Sequence, residues 1–211
     1  MASLESMPRT REFDPAAALQ KVVSLFAQKG YDDTSMDDIV RATGVSRYGL
    51  YSTFGSKREL FEQALEKFAD DMGRQSFLRL LEPDASLDDV RRIFDERVDW
   101  LCCDGASGCC LLNHTATTMA SEDAEIRGLL LRFLKRMSRT FTVGLENANE
   151  KGELREDLDL RDAGEYLTGA MFGVVTLARA GFPRSALDNF VDNTISGLAR
   201  QSDDQAARTG S

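Results

Sequence analysis

The run IVRATGVSRYGLYSTFGSKR, residues 39–58, holds four cations, Arg41, Arg47, Lys57 and Arg58, and no acid. In a chain of 211 residues with a formal net charge of −9, that run is an electropositive island. So acidic a protein does not draw in nucleic acid through its overall charge, and any such binding must come from a local patch of this kind. Gly44, between Thr43 and Val45, divides the run into two short apolar repeats, Ile39 and Val40 before it and Leu50, Tyr51 and Phe54 after it. Glycine permits the sharp turn of a helix-turn-helix, whose second helix offers its N-terminal side chains to the major groove. Ser46, Arg47 and Tyr48 stand at that leading end. Tyr51, Ser52 and Thr53 carry hydroxyls suited to phosphates, and Lys57, in the first turn of the following helix, sets a cation beside backbone amides that attract the same groups.

Outward from the run, helical periodicity continues in both directions. Asp14-Pro15 is a helix start, and Leu19, Val22, Val23 and Phe26 recur at helical spacing until Gly30. Beyond the run, Ser56 opens a helix with Leu60, Phe61, Leu65 and Phe68, Ser86 opens one after Pro83, and Cys109 begins another running towards Ala120. Ser121 with Glu122 and Asp123 caps the longest stripe, Ile126 to Leu145, and Asp159 precedes an apolar helix, Leu160 to Ala180. A last helix is expected over Ala186 to Arg200. With 42% hydrophobic residues, only 4 Pro, and Val, Ile and Thr never alternating, the chain reads as all-α with a sizeable core. About nine helices are expected in all. The longest uncharged hydrophobic stretch, Tyr166 to Ala178, is shorter than the roughly 20 residues a bilayer span needs, so no membrane association is expected. The first residues lack an apolar signal core, which points to a cytoplasmic protein whose 4 Cys stay thiols.

Gly30-Tyr31, Thr34-Ser35, Ile39, Gly44-Val45-Ser46, Leu50-Tyr51, Phe54 and Lys57-Arg58-Glu59-Leu60-Phe61 together resemble the N-terminal pattern of the TetR family of transcriptional regulators. The likeness covers about residues 11–72 and rests on many fixed spacings. It implies a three-helix helix-turn-helix DNA-binding domain over 11–72, a larger helical domain for inducer binding and dimerisation over 73–201, and a flexible tail over 202–211. The implied protein is a homodimeric repressor that binds a palindromic operator in double-stranded DNA and is released by a small-molecule or electrophile inducer. By position, Thr34, Ser35, Ser46, Tyr51, Ser52 and Lys57 resemble phosphate-contacting residues, and Arg47, Tyr48 and Gly49 resemble those that face bases. Tyr48 departs from the small residue common there, and Val40 and Thr43 from the usual alanines, which leaves the base sequence open. The competing reading of the segment is a trihelical core whose Arg and Tyr side chains only solvate a surface.

The resemblance also places an inducer pocket among Trp100, Asn113, His114, Thr117, Phe133, Met137 and Phe172, a mixture of apolar and few polar groups as small-molecule cavities have. Ordinary core packing is the alternative for most of them. Gly169 and Gly173, four apart, with Leu187, Phe190, Val191, Ile195 and Leu198, resemble the two-helix dimer interface of the family. Cys102-Cys103 and Cys109-Cys110 bracket a short loop. Cys109 after Gly108, at a helix start that favours the thiolate, resembles the sensing cysteine of the family's electrophile-responsive branch. Cys110 and His114 have the spacing of two metal ligands, although a buried small hydrophobe is the more ordinary role for such cysteines. A thiol-based redox or metal-responsive regulator, or a small-molecule sensor that no longer binds DNA, are therefore the competing functions. No nucleophile elbow or paired acid is present, so no catalytic residue, metal or cofactor is assigned and the chain is not expected to be an enzyme.

Overall fold

Asp14 accepts a hydrogen bond from the Ala16 amide at 2.9 Å ahead of Pro15, and this cap opens α1 (Pro15–Lys29) in the computed structural model, which describes residues 13–103 and 111–200. The same logic repeats along the chain. Ser35 and Asp38 cap each other's amides at the start of α2 (Met36–Thr43), Ser46 caps α3 (Arg47–Phe54), and Ser56 with Glu59 caps α4 (Lys57–Met72). Past Met72 the helix loosens into one π turn, Gly73–Phe77, and then tightens into a 3-10 turn, Leu78–Leu81. Ser86 with Asp89 starts α5 (Leu87–Cys102); α6 (Leu111–Thr118) follows; Asp123 caps α7 (Ala124–Glu150) and Asp159 caps α8 (Leu160–Arg179). The last helix is α9 (Arg184–Ser196).

Nine α-helices and no strand are found among the described residues, apart from one isolated antiparallel bridge, Leu154 to Ala199. That bridge explains where α9 stops. The Leu198 carbonyl accepts the Arg155 amide at 3.1 Å and the Arg200 amide donates to the Glu153 carbonyl at 2.8 Å, so the chain leaves the helix well before the expected Arg200. No described helix is long and apolar enough to cross a membrane. The expected tail, 202–211, lies outside the described residues, as do Cys109 and Cys110.

In the N-terminal part, Phe26 and Phe61 are fully buried edge to face, ring centroids 4.9 Å apart, with Tyr31 closing on Phe61 at 4.9 Å. Burying each phenylalanine contributes roughly 1.5–3 kcal/mol. In the C-terminal part, Phe141 of α7 meets Phe94 of α5 and Phe77 of the π turn, at 5.9 and 5.2 Å. The two parts share one continuous apolar cluster. They are also tied by charge, since the two terminal guanidinium nitrogens of Arg58 on α4 donate to the Asp123 carboxylate, one of them at 2.9 Å.

The expected dimer residues divide on inspection. Leu187, Val191, Ile195 and Leu198 are buried in their own subunit, at most 5% exposed, because the apolar stripe of α9 packs onto α5 and α8. They cannot also form a contact surface for a second chain. Gly169, by contrast, opens onto empty space on the outer face of α8, while Gly173 lies against Phe190 of the same chain.

Candidate nucleic-acid interface

The electropositive run becomes a helix-turn-helix whose geometry is set by local hydrogen bonds. Gly44 adopts φ +75 at the end of α2, a left-handed conformation that a side chain would strain, and its amide closes on the Val40 carbonyl at 2.8 Å. The Thr43 hydroxyl donates to the Ile39 carbonyl and accepts the Val45 amide, which fixes the turn from inside. Ser46 then accepts the Gly49 amide at 3.1 Å and starts α3. Leu50 and Phe54 anchor that helix in the core. Its other side stands in solvent: Tyr48 is 74% exposed, Tyr51 is 43% exposed, and Arg47 and Ser52 are exposed beside them.

Two cations are held in place by their neighbours. The Lys57 ammonium sits 4.3 Å from the centroid of the Tyr31 ring, so its long stem is pinned at the start of α4. Arg47 donates to Asp37 of α2 at 2.6 Å, which holds its guanidinium at the leading end of α3. Asp38, next to it, serves the helix start: the Ser35 hydroxyl and amide, and then Lys29, hold its carboxyl well below the usual carboxylate range. Asp37 is 74% exposed, and among the described residues its carboxylate pairs with Arg47 alone. Asp37→Ala is therefore expected to raise affinity for any duplex by about 2- to 5-fold, as an exposed pair of this kind is weak, and to narrow the margin between operator and random DNA. Electrophoretic mobility shifts on both duplexes check it, and an unchanged margin would remove Asp37 from the interface.

Several sequence-based assignments need correction. Thr34 is fully buried, and its hydroxyl donates to the Gly30 carbonyl at 2.6 Å, so it holds the α1–α2 turn and cannot reach a phosphate. Gly49 faces the protein: a Cβ there would stand 3.1 Å from Val45 and 3.4 Å from Phe13, so its smallness serves packing rather than a base edge. The hydroxyls of Ser35, Ser46 and Ser52 bond within their own helices, although all three residues are exposed. Thr53 is half-buried. Arg58, which the sequence reading left out of the site, joins α4 to α7 and could have been suspected only from its place beside Lys57.

The residues expected to line an inducer pocket are scattered. Trp100 lies 42% exposed in a groove with Phe68 and Gln20, its ring stacked by Arg97. Phe133 and Met137 line a different cleft, beside the end of α4. Asn113 is buried, and its amide donates to the Phe172 carbonyl at 3.2 Å and the Thr176 hydroxyl at 3.1 Å, which fastens α6 to α8. The Thr117 hydroxyl bonds back to its own helix. His114 seats its imidazole against Gly30, in the space where a Cβ would stand only 2.6 Å away. Within α6, Asn113 turns towards α8 and His114 towards α1, so these residues do not face one of the clefts described. Cys102 and Cys103 are free, exposed thiols at the end of α5, and Cys109, the sensing candidate, lies outside the described residues.

A family model described as bacterial regulatory proteins of the tetR family matches residues 19–64, and one described as the tetracyclin repressor-like C-terminal domain matches residues 86–193. The chain is 30% identical over 193 residues to an uncharacterized HTH-type transcriptional regulator of Bacillus subtilis, YezE, covering 91% of this chain and 100% of that one. It is 27% identical to the HTH-type transcriptional repressor ComR of Escherichia coli, covering 90% and 91% of the two chains. Among solved structures, a cysteine mutant of the regulator CifR in complex with 26-bp operator DNA superposes with a TM-score of 0.77 at 26% identity, over 90% of this chain and 98% of that one.

Proposed function

The chain belongs to the TetR family of bacterial transcriptional regulators, and from that membership we propose that it is a cytoplasmic, homodimeric repressor that two copies of α3 seat on a palindromic operator. The observation that carries the proposal is the outer face of α3. Arg47, Tyr48 and Tyr51 project there together, and Lys57 is pinned over Tyr31 beside them. Arg47 and Tyr48 read base edges, while Tyr51, Ser52 and Lys57 hold phosphates. Ser35 and Ser46 contribute through the helix starts they shape and through their exposed positions, and Thr53, half-buried near the end of α3, contributes through its hydroxyl. The helix-turn-helix unit spans 11–72 and the remainder, 73–201, holds the dimer together and takes a small-molecule effector; no catalytic step is assigned to either.

The outer stripe of α8, Tyr166, Gly169 and Gly173, with Phe182 just beyond it, is the dimer face in this reading. Tyr166 and Phe182 are 53% and 50% exposed, apolar area that contact with a second chain would remove from water. The two copies of α3 must then lie about one DNA turn apart, roughly 34 Å, to enter successive major grooves, and an effector that favours another separation lowers affinity by shifting the population.

Fluorescence anisotropy on the DNA flanking its own gene tests the reading. Lys57→Ala is expected to weaken binding to every duplex alike and to flatten the salt dependence by about 0.9 per subunit, the loss of one phosphate contact. Arg47→Ala and Tyr48→Ala should in addition change which operator is preferred. Parent-like binding by all three variants overturns the docking. A thiol-responsive variant of this function is favoured by the two exposed thiols of Cys102 and Cys103, and Cys109→Ser that keeps its release by an electrophile removes Cys109 from it.

A further inference from the structure

Positions 132, 135, 136, 139, 140 and 143 of α7 share one face at helical spacing, and four of them are cations, Arg132, Lys135, Arg136 and Arg139. All four are exposed and residues 126–145 contain no acid, while Glu66 and Asp70 of α4 stand beside Arg132 and Arg136 at one end of the row and leave Lys135 and Arg139 without an acid alongside. Only Arg136 has a partner, Asp70 at 2.8 Å; Arg132, Lys135 and Arg139 make no ion pair or hydrogen bond among the described residues. Across from this row lies the 3-10 turn. Leu80 dives beneath it against Gly144, and this leaves Leu78 and Leu81 standing out, 54% and 49% exposed. Between the turn and the cations runs a groove of about 430 Å³. It shares Leu81, Arg136 and Thr140 with an adjoining cleft of about 350 Å³ whose walls are Phe77, Phe133 and Met137.

We propose that this trough binds a small anionic amphiphile, with its apolar chain or ring system against Leu78, Leu81, Phe133 and Met137 and its carboxylate, sulfonate or phosphate held by Arg132, Lys135 and Arg139. Like charges three and four apart on a helix repel, and half-exposed leucines cost free energy in proportion to their wet area. A ligand with one apolar and one anionic end relieves both at once. The trough is concave and of a volume that suits a small molecule. A flat anionic membrane or an acidic protein would reach the cations without entering the cleft. The inference deepens the effector reading above and rests on it for its consequence, since an amphiphile wedged between the end of α4 and α7 sits where the two parts of the chain join.

Dodecanoate, dilute enough to be monomeric, is the probe, with dodecanol as its uncharged counterpart and isothermal calorimetry on the full-length protein as the readout. Dodecanoate is expected to bind at one site per chain, at least about 10-fold tighter than dodecanol. The double variant Arg132→Gln/Arg139→Gln should lose that advantage and keep dodecanol binding, whereas Leu81→Ser should weaken both; thermal unfolding confirms that the variants are folded. Equal binding of acid and alcohol, or a dodecanoate affinity untouched by the double variant, overturns the site. Sedimentation with phosphatidylglycerol but not phosphatidylcholine vesicles, in the absence of any monomer binding, overturns it in favour of a membrane surface. Operator anisotropy with and without dodecanoate separates the two claims: binding that leaves DNA affinity unchanged keeps the trough and refutes its effector role.

Discussion

Gly164→Ala costs the protein about 2–3 kcal/mol of folding stability, against the near 1 kcal/mol that alanine ordinarily adds when it replaces glycine inside a helix. The reason is the closeness of α7 and α8. A Cβ at position 164 would stand 2.3 Å from the Thr142 hydroxyl and 2.8 Å from the Ser138 carbonyl oxygen. The hydroxyl can rotate, but it donates to that same carbonyl at 3.0 Å and the bond would be lost. The carbonyl belongs to the backbone of α7 and cannot step aside, so the two helices must part. Urea unfolding should show a lower midpoint at unchanged slope. Gly128→Ala, inside α7 where a Cβ would meet only the tip of Arg132 at 3.7 Å, is the control and should be neutral or slightly stabilising. If the two variants unfold together, the tight α7–α8 contact is not as described.

The second large effect is expected at Asp123, which serves two elements at once. It caps α7 by accepting the Glu125 and Ile126 amides, each at 3.0 Å, and it receives the Arg58 guanidinium from α4. Both side chains of the pair are about a quarter exposed, so the pair is partly screened. Asp123→Ala removes cap and pair together and should cost about 2–3 kcal/mol. Asp123→Asn keeps the cap and should cost about half as much. Arg58→Ala combined with either variant closes a double-mutant cycle whose coupling term is the pair itself. A zero coupling would mean that this pair adds nothing to the hold between the two halves of the chain. Arg58, and after it the Ile126 amide, hold the Asp123 carboxyl well below the usual range. A depressed carboxylate contributes stability above its unfolded pKa and loses it as pH falls through the folded value. The difference between parent and Arg58→Ala is thus constant through neutral pH and shrinks only below about pH 4.

Much of this fold could be read from caps. Asp14-Pro15, Ser46, Ser56, Ser86 and Asp159 each open a helix where the pattern places one, because a cap acts within three residues of itself, and of Ser121, Glu122 and Asp123 it is Asp123 that caps α7. What periodicity leaves out is the identity of the surface an apolar stripe meets. Leu187, Val191 and Ile195 form a stripe suited equally to a partner and to their own core, and the structure spends it on the core. The side chain of Thr34 is likewise ambiguous, since a hydroxyl suits a phosphate and a backbone carbonyl alike. The site shows the same division. Arg47, Tyr48 and Lys57 follow from charge and spacing along one short run, whereas Arg58 and Asp123 meet across two helices and no local pattern announces them. The π turn after Met72 carries no signal either.

The seat of His114 against Gly30 ties two positions far apart in the chain into one unit of inheritance. Gly30 has φ +82 and no room for a methyl group while the imidazole fills its place. A lineage that gains a side chain at position 30 must therefore recast the end of α1 and surrender the histidine in the same step, and one that shortens the histidine opens a gap that glycine alone cannot fill. Among relatives these two positions should drift as a pair, and a record of their joint changes would trace how the contact between the DNA-reading half and α6 has been redrawn from one regulator to the next.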